Sequence, residues 1–250
     1  MNICLFTQEE INLPLKLSDP RAEHLIKILH KTEGDTFTAG VISGQAGLAT
    51  ITKIVKDDSK EKGRIEFEFH PNNPGKELFP LIMIIGFPRP IQLKRLLRDI
   101  AALGVCQVHL TGTELGEKSY MQANLVESGN AYKMLLDGSV QAGSTHIAQL
   151  FKHQTLKECV ESIEVLNGKK LKLALDNINP NCKLSQALKN KKDFSTLVAA
   201  IGSERGWTDK ERKFLEDKGY IRCGMGERIM RTETAATVSA SIILSQLGYI

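Results

Sequence analysis

Much that would assign this chain to a special class is missing from it. No apolar run approaches the roughly 20 residues needed to span a bilayer. The opening stretch, MNICLFTQEE, lacks a basic region followed by an apolar core, so it does not read as a secretory signal. The five cysteines (Cys4, Cys106, Cys159, Cys182 and Cys223) are odd in number, scattered and without a C-x-x-C pair. That excludes a disulfide framework, argues against zinc, and points to a reducing cytoplasm with the thiols as small core residues. The six histidines have neither H-x-x-x-H nor H-E-x-x-H spacing, so the expectation is no metal site. No G-x-S-x-G elbow and no phosphate-binding P-loop occur. Internal repeats and low-complexity segments are absent as well.

What is present is ordinary globular material: 250 residues, 42% hydrophobic and 25% charged, enough for one large domain or two smaller ones. The formal charge of +4 is too mild to name a partner, but it is unevenly spread. Residues 1–72 carry nine Lys and Arg against eleven Asp and Glu, and the remainder carries 24 against 18. Pro71, Asn72, Asn73, Pro74 and Gly75 make a turn-rich break at that point, a domain boundary on composition.

Before the break the pattern is mainly β. A short strand around Ile3 and Leu5 is followed by strands over 36–42, 48–54 and 64–69, with Ile65, Phe67 and Phe69 alternating. Residues 43–47 read as a hairpin connection, and 22–29 as a helical interruption. The expectation is a small barrel-like domain of about 70 residues. After the break strands and helices alternate: strands over 81–85, 105–110, 171–175, 196–201 and 220–223, helices over 92–103, 124–141, 210–218 and 233–247. Thr208 and Glu211 spell a T-x-x-E capping box, and Thr232 is the expected N-cap of the last helix. Such alternation predicts an α/β domain with a mostly parallel sheet.

Three segments could carry chemistry. On the helix at 92–103, Leu93, Leu96, Leu97, Ile100 and Leu103 share one face, while Lys94, Arg95 and Arg98 cluster on another. The basic group is either a solvated helix face or a phosphate-contacting patch. Two glycine-bearing loops follow predicted strands, one at 202–208 and one at 224–231, where ligands bind on open α/β sheets. Gly224 and Gly226 lack the third glycine of a dinucleotide fingerprint. Finally, Arg228, Arg231 and Glu233 crowd the mouth of a last helix rich in Ala and Ser, where charges must be paired or used.

Together these blocks resemble the RsmE family of ribosomal RNA methyltransferases, within the SPOUT superfamily. The family's I-G-P-E-G-G-[FL]-[ST]-x-x-E block stands here as Ile201, Gly202, Ser203, Glu204, Arg205, Gly206, Trp207, Thr208, Asp209, Lys210 and Glu211. Its L-G-x-R-I-L-R-T-E-T-A block stands as Met225 through Ala235. His24 to Lys31, with Gly34 and Asp35, and Leu103, Gly104 and Val105 are also similar to the family, and the likeness runs over essentially the whole chain. The resemblance implies a PUA-like β-barrel RNA-binding domain at 1–72. It also implies a SPOUT-type parallel-sheet methyltransferase domain at 73–250 whose C-terminal chain forms a trefoil knot. It implies a homodimer that uses S-adenosylmethionine to methylate N3 of a uridine in small-subunit (16S) ribosomal RNA, as free RNA or in the subunit, away from any membrane.

Carried over residue by residue, Leu175, Ile201, Gly202, Gly206, Met225, Gly226, Ile229 and Met230 would line the cofactor pocket. Arg231 would stabilise the uracil's developing negative charge, Glu233 would orient it, and Glu204 is a second candidate for base or positioning. Lys94, Arg95, Arg98, Lys118 and Arg228 would meet RNA. This chain departs from the family pattern at Ser203 (proline), Arg205 (glycine), Ala102 (acidic), Lys118 (arginine) and Ser144 (arginine). An arginine-to-lysine change loses bidentate phosphate geometry. Two alternatives stay open at this point: another SPOUT enzyme acting on a ribose 2′-hydroxyl or another base, and an RNA-binding homologue without catalysis.

Overall fold

A computed structural model describes residues 2–57, 63–122, 126–189 and 193–250. The chain divides into two compact units, one of Met1–Glu77 with Ser139–Ile147, the other of Leu78–Gly138 with Ala148–Ile250.

The first unit is a five-stranded mixed sheet built from β1 (Cys4–Phe6), β2 (Leu15–Lys16), β3 (Thr36–Val41), β4 (Ala46–Val55) and β5 (Arg64–Asn73). Their order is β1-β3-β4-β5-β2, parallel between β1 and β3 and antiparallel elsewhere. Strand alternation sends Phe37, Ala39, Ala49, Ile51 and Ile65 inward to join Phe6 and Leu25 in one core. The turn-rich stretch at 71–75 coincides with the end of β5, which runs to Asn73. Pro71 lies within β5, opposite Gly47 at a shift in the ladder register, a place where a strand tolerates proline. The unit runs on to Glu77. It also takes in 139–147, because the Ser43 amide and the Thr145 hydroxyl donate to the Thr145 and Gly44 carbonyls at 2.8 and 2.7 Å. The helical interruption expected at 22–29 is a short α1 (Pro20–Glu23) that widens into a π turn over His24–Ile28. Asp19 caps it by accepting from the Arg21 amide at 2.8 Å, with Pro20 at the first helical position.

The second unit contains, in chain order, β6 (Phe79–Gly86), α2 (Pro90–Ala102), β7 (Val105–Thr111), α3 (Lys118–Gln122), α4 (Asn130–Ala142, its last turns counted with the first unit), β8 (Gln149–His153) and α5 (Leu156–Glu164). It continues through β9 (Lys170–Leu175), β10 (Cys182–Lys183), α6 (Leu184–Leu188), β11 (Thr196–Ile201), α7 (Asp209–Asp217), β12 (Ile221–Gly224) and α8 (Thr232–Gln246). The seven strands form one parallel sheet in the order β10-β12-β9-β11-β6-β7-β8. Central β6 reads as an unbroken apolar run because helices cover both faces of such a sheet. Leu93, Leu96, Leu97, Ile100 and Ala101 are the buried face of α2, each large side chain worth about 1.5 to 3 kcal/mol of gross burial.

Several elements differ from the sequence reading. The helix expected over 124–141 starts at Asn130, and residues 124 and 125 lie outside the described ones. Elements β8, α5, β10, α6 and α3 carry short or weakly alternating patterns that the periodicity reading passed over. One local sign was available: Thr155 accepts from the Glu158 amide at 3.1 Å, a second T-x-x-E start. Thr232 is not an N-cap. Arg231 occupies that place without a side-chain cap, and the buried Thr232 hydroxyl instead donates to the Gly202 carbonyl at 3.3 Å. No helix among the described residues is long and apolar enough to cross a membrane.

Candidate cofactor cavity at the carboxyl ends of the central strands

Strands β9, β11 and β12 end side by side, at Leu175, Ile201 and Gly224, and the chain leaves each end in a loop. Loops beyond the carboxyl ends of parallel strands are where open α/β sheets bind ligands. Here they enclose a cavity of about 290 Å³. Its lining comes from 175–178, 201–206, 223–230 and the start of α8. Leu175, Ile201, Gly202, Gly206, Met225, Gly226, Ile229 and Met230 all face it.

The loops hold this shape for identifiable reasons. At the end of the 202–206 loop, Trp207 is buried, and its indole N–H donates to the Leu175 carbonyl at 3.0 Å, tying the loop to β9. Just beyond, Thr208 caps α7 in the capping box that its spacing predicts, and Glu211 also accepts from the Glu114 amide at 2.9 Å. Gly206 (φ +72°) and Gly226 (φ +120°) sit in the left-handed region that disfavours side chains, and no atom lies within 4 Å of where a Cβ would point. Both glycines therefore serve backbone conformation and leave room above the loop.

The cavity floor contains a residue that the sequence analysis did not single out. Asp176 follows β9 directly, and its side chain is only 1% exposed. It accepts from Arg212 Nε at 2.7 Å, Arg222 Nη1 at 3.3 Å and the Ile178 amide at 3.1 Å. Arg222 is held in turn by Glu216 at 2.6 Å and by the Ile178 carbonyl at 2.9 Å. Asp176, Arg212 and Arg222 lie 36 and 46 positions apart, so no local spacing reveals them. Cys223, also on the lining, stands opposite Cys182 with the sulfurs 4.0 Å apart. Burial, followed by the neighbouring thiol, pushes the Cys223 thiol up to about 12, so it is a neutral wall rather than a nucleophile.

The charged residues expected at the site divide. Glu204 and Arg228 line the cavity. Glu204 pairs with Arg89 at 3.1 Å, and that carboxylate, with Tyr120, raises the Arg89 guanidinium further. Arg231 is exposed at the N-cap of α8, and among the described residues no hydrogen bond or ion pair joins it to Glu233. The expected orienting contact is therefore not formed, because the helix start turns on the buried Thr232 between them. On the outer face of α2, Arg95 faces Asp99 at 3.8 Å, Arg98 faces Asp137 at 3.4 Å, and Lys94 is exposed. Lys118 is the exposed first residue of α3. Ser144 belongs to the first unit, where its buried hydroxyl donates to backbone carbonyls at 3.1 and 3.2 Å. That is a structural pin.

The lining suits S-adenosylmethionine. Leu175, Ile201, Met225 and Met230 offer apolar walls, and the glycines leave backbone groups open to approach. The buried Ser203 hydroxyl on the lining has no hydrogen-bond partner among the described residues and is free for a polar ligand atom.

Known proteins resemble this chain in sequence and in fold. The RNA methyltransferase domain family matches residues 75–244. The chain is 38% identical to the ribosomal RNA small subunit methyltransferase E of Treponema pallidum, over 98% of its own length and 91% of that protein. It is 31% identical to ribosomal RNA small subunit methyltransferase E 1 of Borreliella burgdorferi, over 97% of both chains. The crystal structure of the Neisseria gonorrhoeae ribosomal RNA small subunit methyltransferase E bound to S-adenosylmethionine has the same fold, with a TM-score of 0.74 at 18% identity, covering 98% of this chain and 97% of that one. Sequence, cavity and fold converge, and the chain belongs to the ribosomal RNA small subunit methyltransferase E family.

Proposed function

We propose that the protein methylates N3 of a uridine in small-subunit ribosomal RNA, using S-adenosylmethionine, in the cytoplasm. The observation that carries this is the cavity closed by the 202–206 and 224–230 loops, the two segments that hold the family's sequence blocks. Residues 1–72 are read as a PUA-like RNA-binding barrel. The C-terminal chain is read as a trefoil knot, supported by Thr232 reaching the Gly202 carbonyl of an earlier loop. A homodimer follows from the family resemblance, and sedimentation of the purified chain tests it.

S-adenosylmethionine supplies a methyl group already activated on a sulfonium. Leu175, Ile201, Met225 and Met230 would grip the cofactor, with Gly202, Gly206, Gly226 and Ile229 shaping the space around it. The protein's own task is to orient the uracil in line and keep water away. Because N3 lies on the Watson–Crick edge, the base must be unpaired or drawn from its stack. N3 is a poor nucleophile until it loses its proton, so a cation beside the ring lowers the barrier. That part is assigned to Arg231, which is exposed at the start of α8 and unpaired among the described residues. Glu204, held by Arg89, acts as a positioning residue, and Glu233 reaches Arg231 only if the helix mouth adjusts on binding. Arg228 at the cavity rim, Lys118 and the Lys94, Arg95 and Arg98 face would hold the RNA backbone.

Small ribosomal subunits lacking base methylation, incubated with the protein and S-adenosylmethionine, should yield N3-methyluridine on nucleoside mass spectrometry. A 2′-O-methyl nucleoside would move the reading to a sibling chemistry. No product despite measurable cofactor binding would move it to an RNA-binding homologue. Arg231→Ala should abolish transfer while cofactor still binds, and normal turnover in that variant removes the arginine from the mechanism.

A further inference from the structure

Away from the cofactor cavity, the face of β7 and β8 beneath α5 is polar where a parallel sheet is expected to be apolar. The register places Gln107 opposite Gln149, His109 opposite Phe151 and Thr111 opposite His153, all on one face. Cys159 projects from α5 into the same space. His109, His153 and Cys159 are buried at 3%, 7% and 0% exposure, and their ligand atoms lie within 4.8 Å of one another. We propose that His109, His153 and Cys159 form a site for one divalent transition ion of the zinc class.

The hydrogen bonds around the imidazoles carry the argument. Gln107 donates its amide to Gln149 Oε1 at 3.1 Å, so it presents its own Oε1 to His109 Nε2 at 3.2 Å. The His109 proton therefore sits on Nε2, leaving a lone pair on Nδ1. That nitrogen faces His153 Nε2 at 3.0 Å, while His153 Nδ1 faces the Glu158 carboxylate at 3.8 Å. The one proton of a neutral His153 then lies on Nε2, toward His109, and leaves Nδ1 bare on the side of the Glu158 carboxylate at 3.8 Å. An ion between the two inner nitrogens moves that proton to the outer side. Both lone pairs then point at the metal, His153 Nδ1–H points at Glu158, and His109 Nε2–H points at Gln107. A carboxylate or carbonyl on the outer nitrogen of each histidine is the usual surrounding of metal-bound imidazoles.

The spacing of the two nitrogens is close to what an ion needs, and the Cys159 sulfur, within 4.8 Å, would move inward to reach it. Zinc–nitrogen bonds of about 2.0 to 2.1 Å in tetrahedral geometry separate two nitrogens by about 3.3 Å, a few tenths more than is present. Two imidazoles and one thiolate select a zinc-class ion over magnesium or calcium. As the metal–sulfur bond forms, the Cys159 thiol proton passes to the buffer. Three protein ligands leave one coordination position, and the bound ion would pin α5 to the β7–β8 edge. The ligands come from two strands and a helix, with His109 and His153 44 positions apart, so sequence spacing could not display the site.

The test uses the full chain, stripped with chelator and titrated with Co2+. One ion per chain is expected, with tetrahedral ligand-field bands and a thiolate-to-cobalt charge-transfer band, and Zn2+ should raise Tm by several degrees. Cys159→Ser should lose the charge-transfer band, and His153→Ala should weaken binding at least 100-fold. Glu158→Gln, a surface change, should weaken it about 10- to 100-fold with the fold intact by circular dichroism. Absence of any band at excess Co2+ overturns the proposal. So does an undiminished band in Cys159→Ser, which would put the ion on the Cys182–Cys223 pair.

Discussion

Removing the Asp176 carboxylate should be among the most costly single changes in the second unit. Its side chain is 1% exposed, and Arg212, its nearest partner, is 10% exposed. In Asp176→Ala, Arg222 keeps Glu216 at 2.6 Å. Among the described residues Arg212 keeps only Asp209, whose side chain is 99% exposed and screened by water. The variant therefore leaves a largely buried guanidinium without a buried counter-charge, which costs about 3 to 5 kcal/mol. Against a total stability of about 5 to 15 kcal/mol, that is a large fraction. It corresponds to roughly 10 °C in Tm for a unit of this size. The assay is built into the molecule: the chain's one tryptophan, Trp207, bonds the carbonyl of the residue before Asp176, so its fluorescence in urea reports this region. The midpoint should fall with the slope unchanged. Replacing both partners, Asp176→Leu with Arg212→Met, should recover most of the loss, because a packed apolar pair costs little where an orphaned charge costs much. A single variant within about 1 kcal/mol of the parent would overturn this expectation and show that water reaches Arg212.

Other predictions follow from separate features. Ser203→Ala removes a buried hydroxyl without a partner among the described residues, so it should raise the stability of the free protein by up to about 1 to 3 kcal/mol while weakening S-adenosylmethionine in calorimetry. Unchanged affinity would show that the hydroxyl does not reach the cofactor. Gly47→Ala would put a Cβ 2.1 Å from the His70 carbonyl oxygen, so β4 and β5 must separate there, and faster amide exchange in both strands should report it. In the first unit, hydrogen bonds from Arg21 hold Glu10 below the usual carboxylate range. Burial alone would raise Asp19, but hydrogen bonds from Arg21 outweigh it and lower that group too. Both folded values lie below the unfolded ones, so this stabilisation is present above about pH 4.5 and is lost as pH falls through the folded values. Arg21→Met should flatten that acid limb of an unfolding profile, and an unchanged limb would assign acid sensitivity elsewhere.

Features set by neighbours in sequence were legible beforehand. The apolar face of α2 follows from i, i+3 and i+4 spacing, the start of α7 from a threonine and a glutamate three apart, and β6 from an unbroken apolar run. The two loop blocks that line the cavity were legible for a related reason, since each is a contiguous string directly following a strand. Local conformation, and the residue chemistry offered at each strand end, therefore follow from neighbouring residues alone.

Which groups meet depends on the folded sheet order. The fold brought Asp176 between Arg212 and Arg222, gave Glu204 to Arg89, and left Arg231 without Glu233 by burying Thr232 between them. It also assembled His109, His153 and Cys159 from separate elements and joined residues 139–147 to the first unit. The physical reason is the same in each case. A helix period or a cap is fixed within a few residues of backbone. A buried charge or imidazole, in contrast, takes its partner from whichever strand or helix the sheet order places beside it.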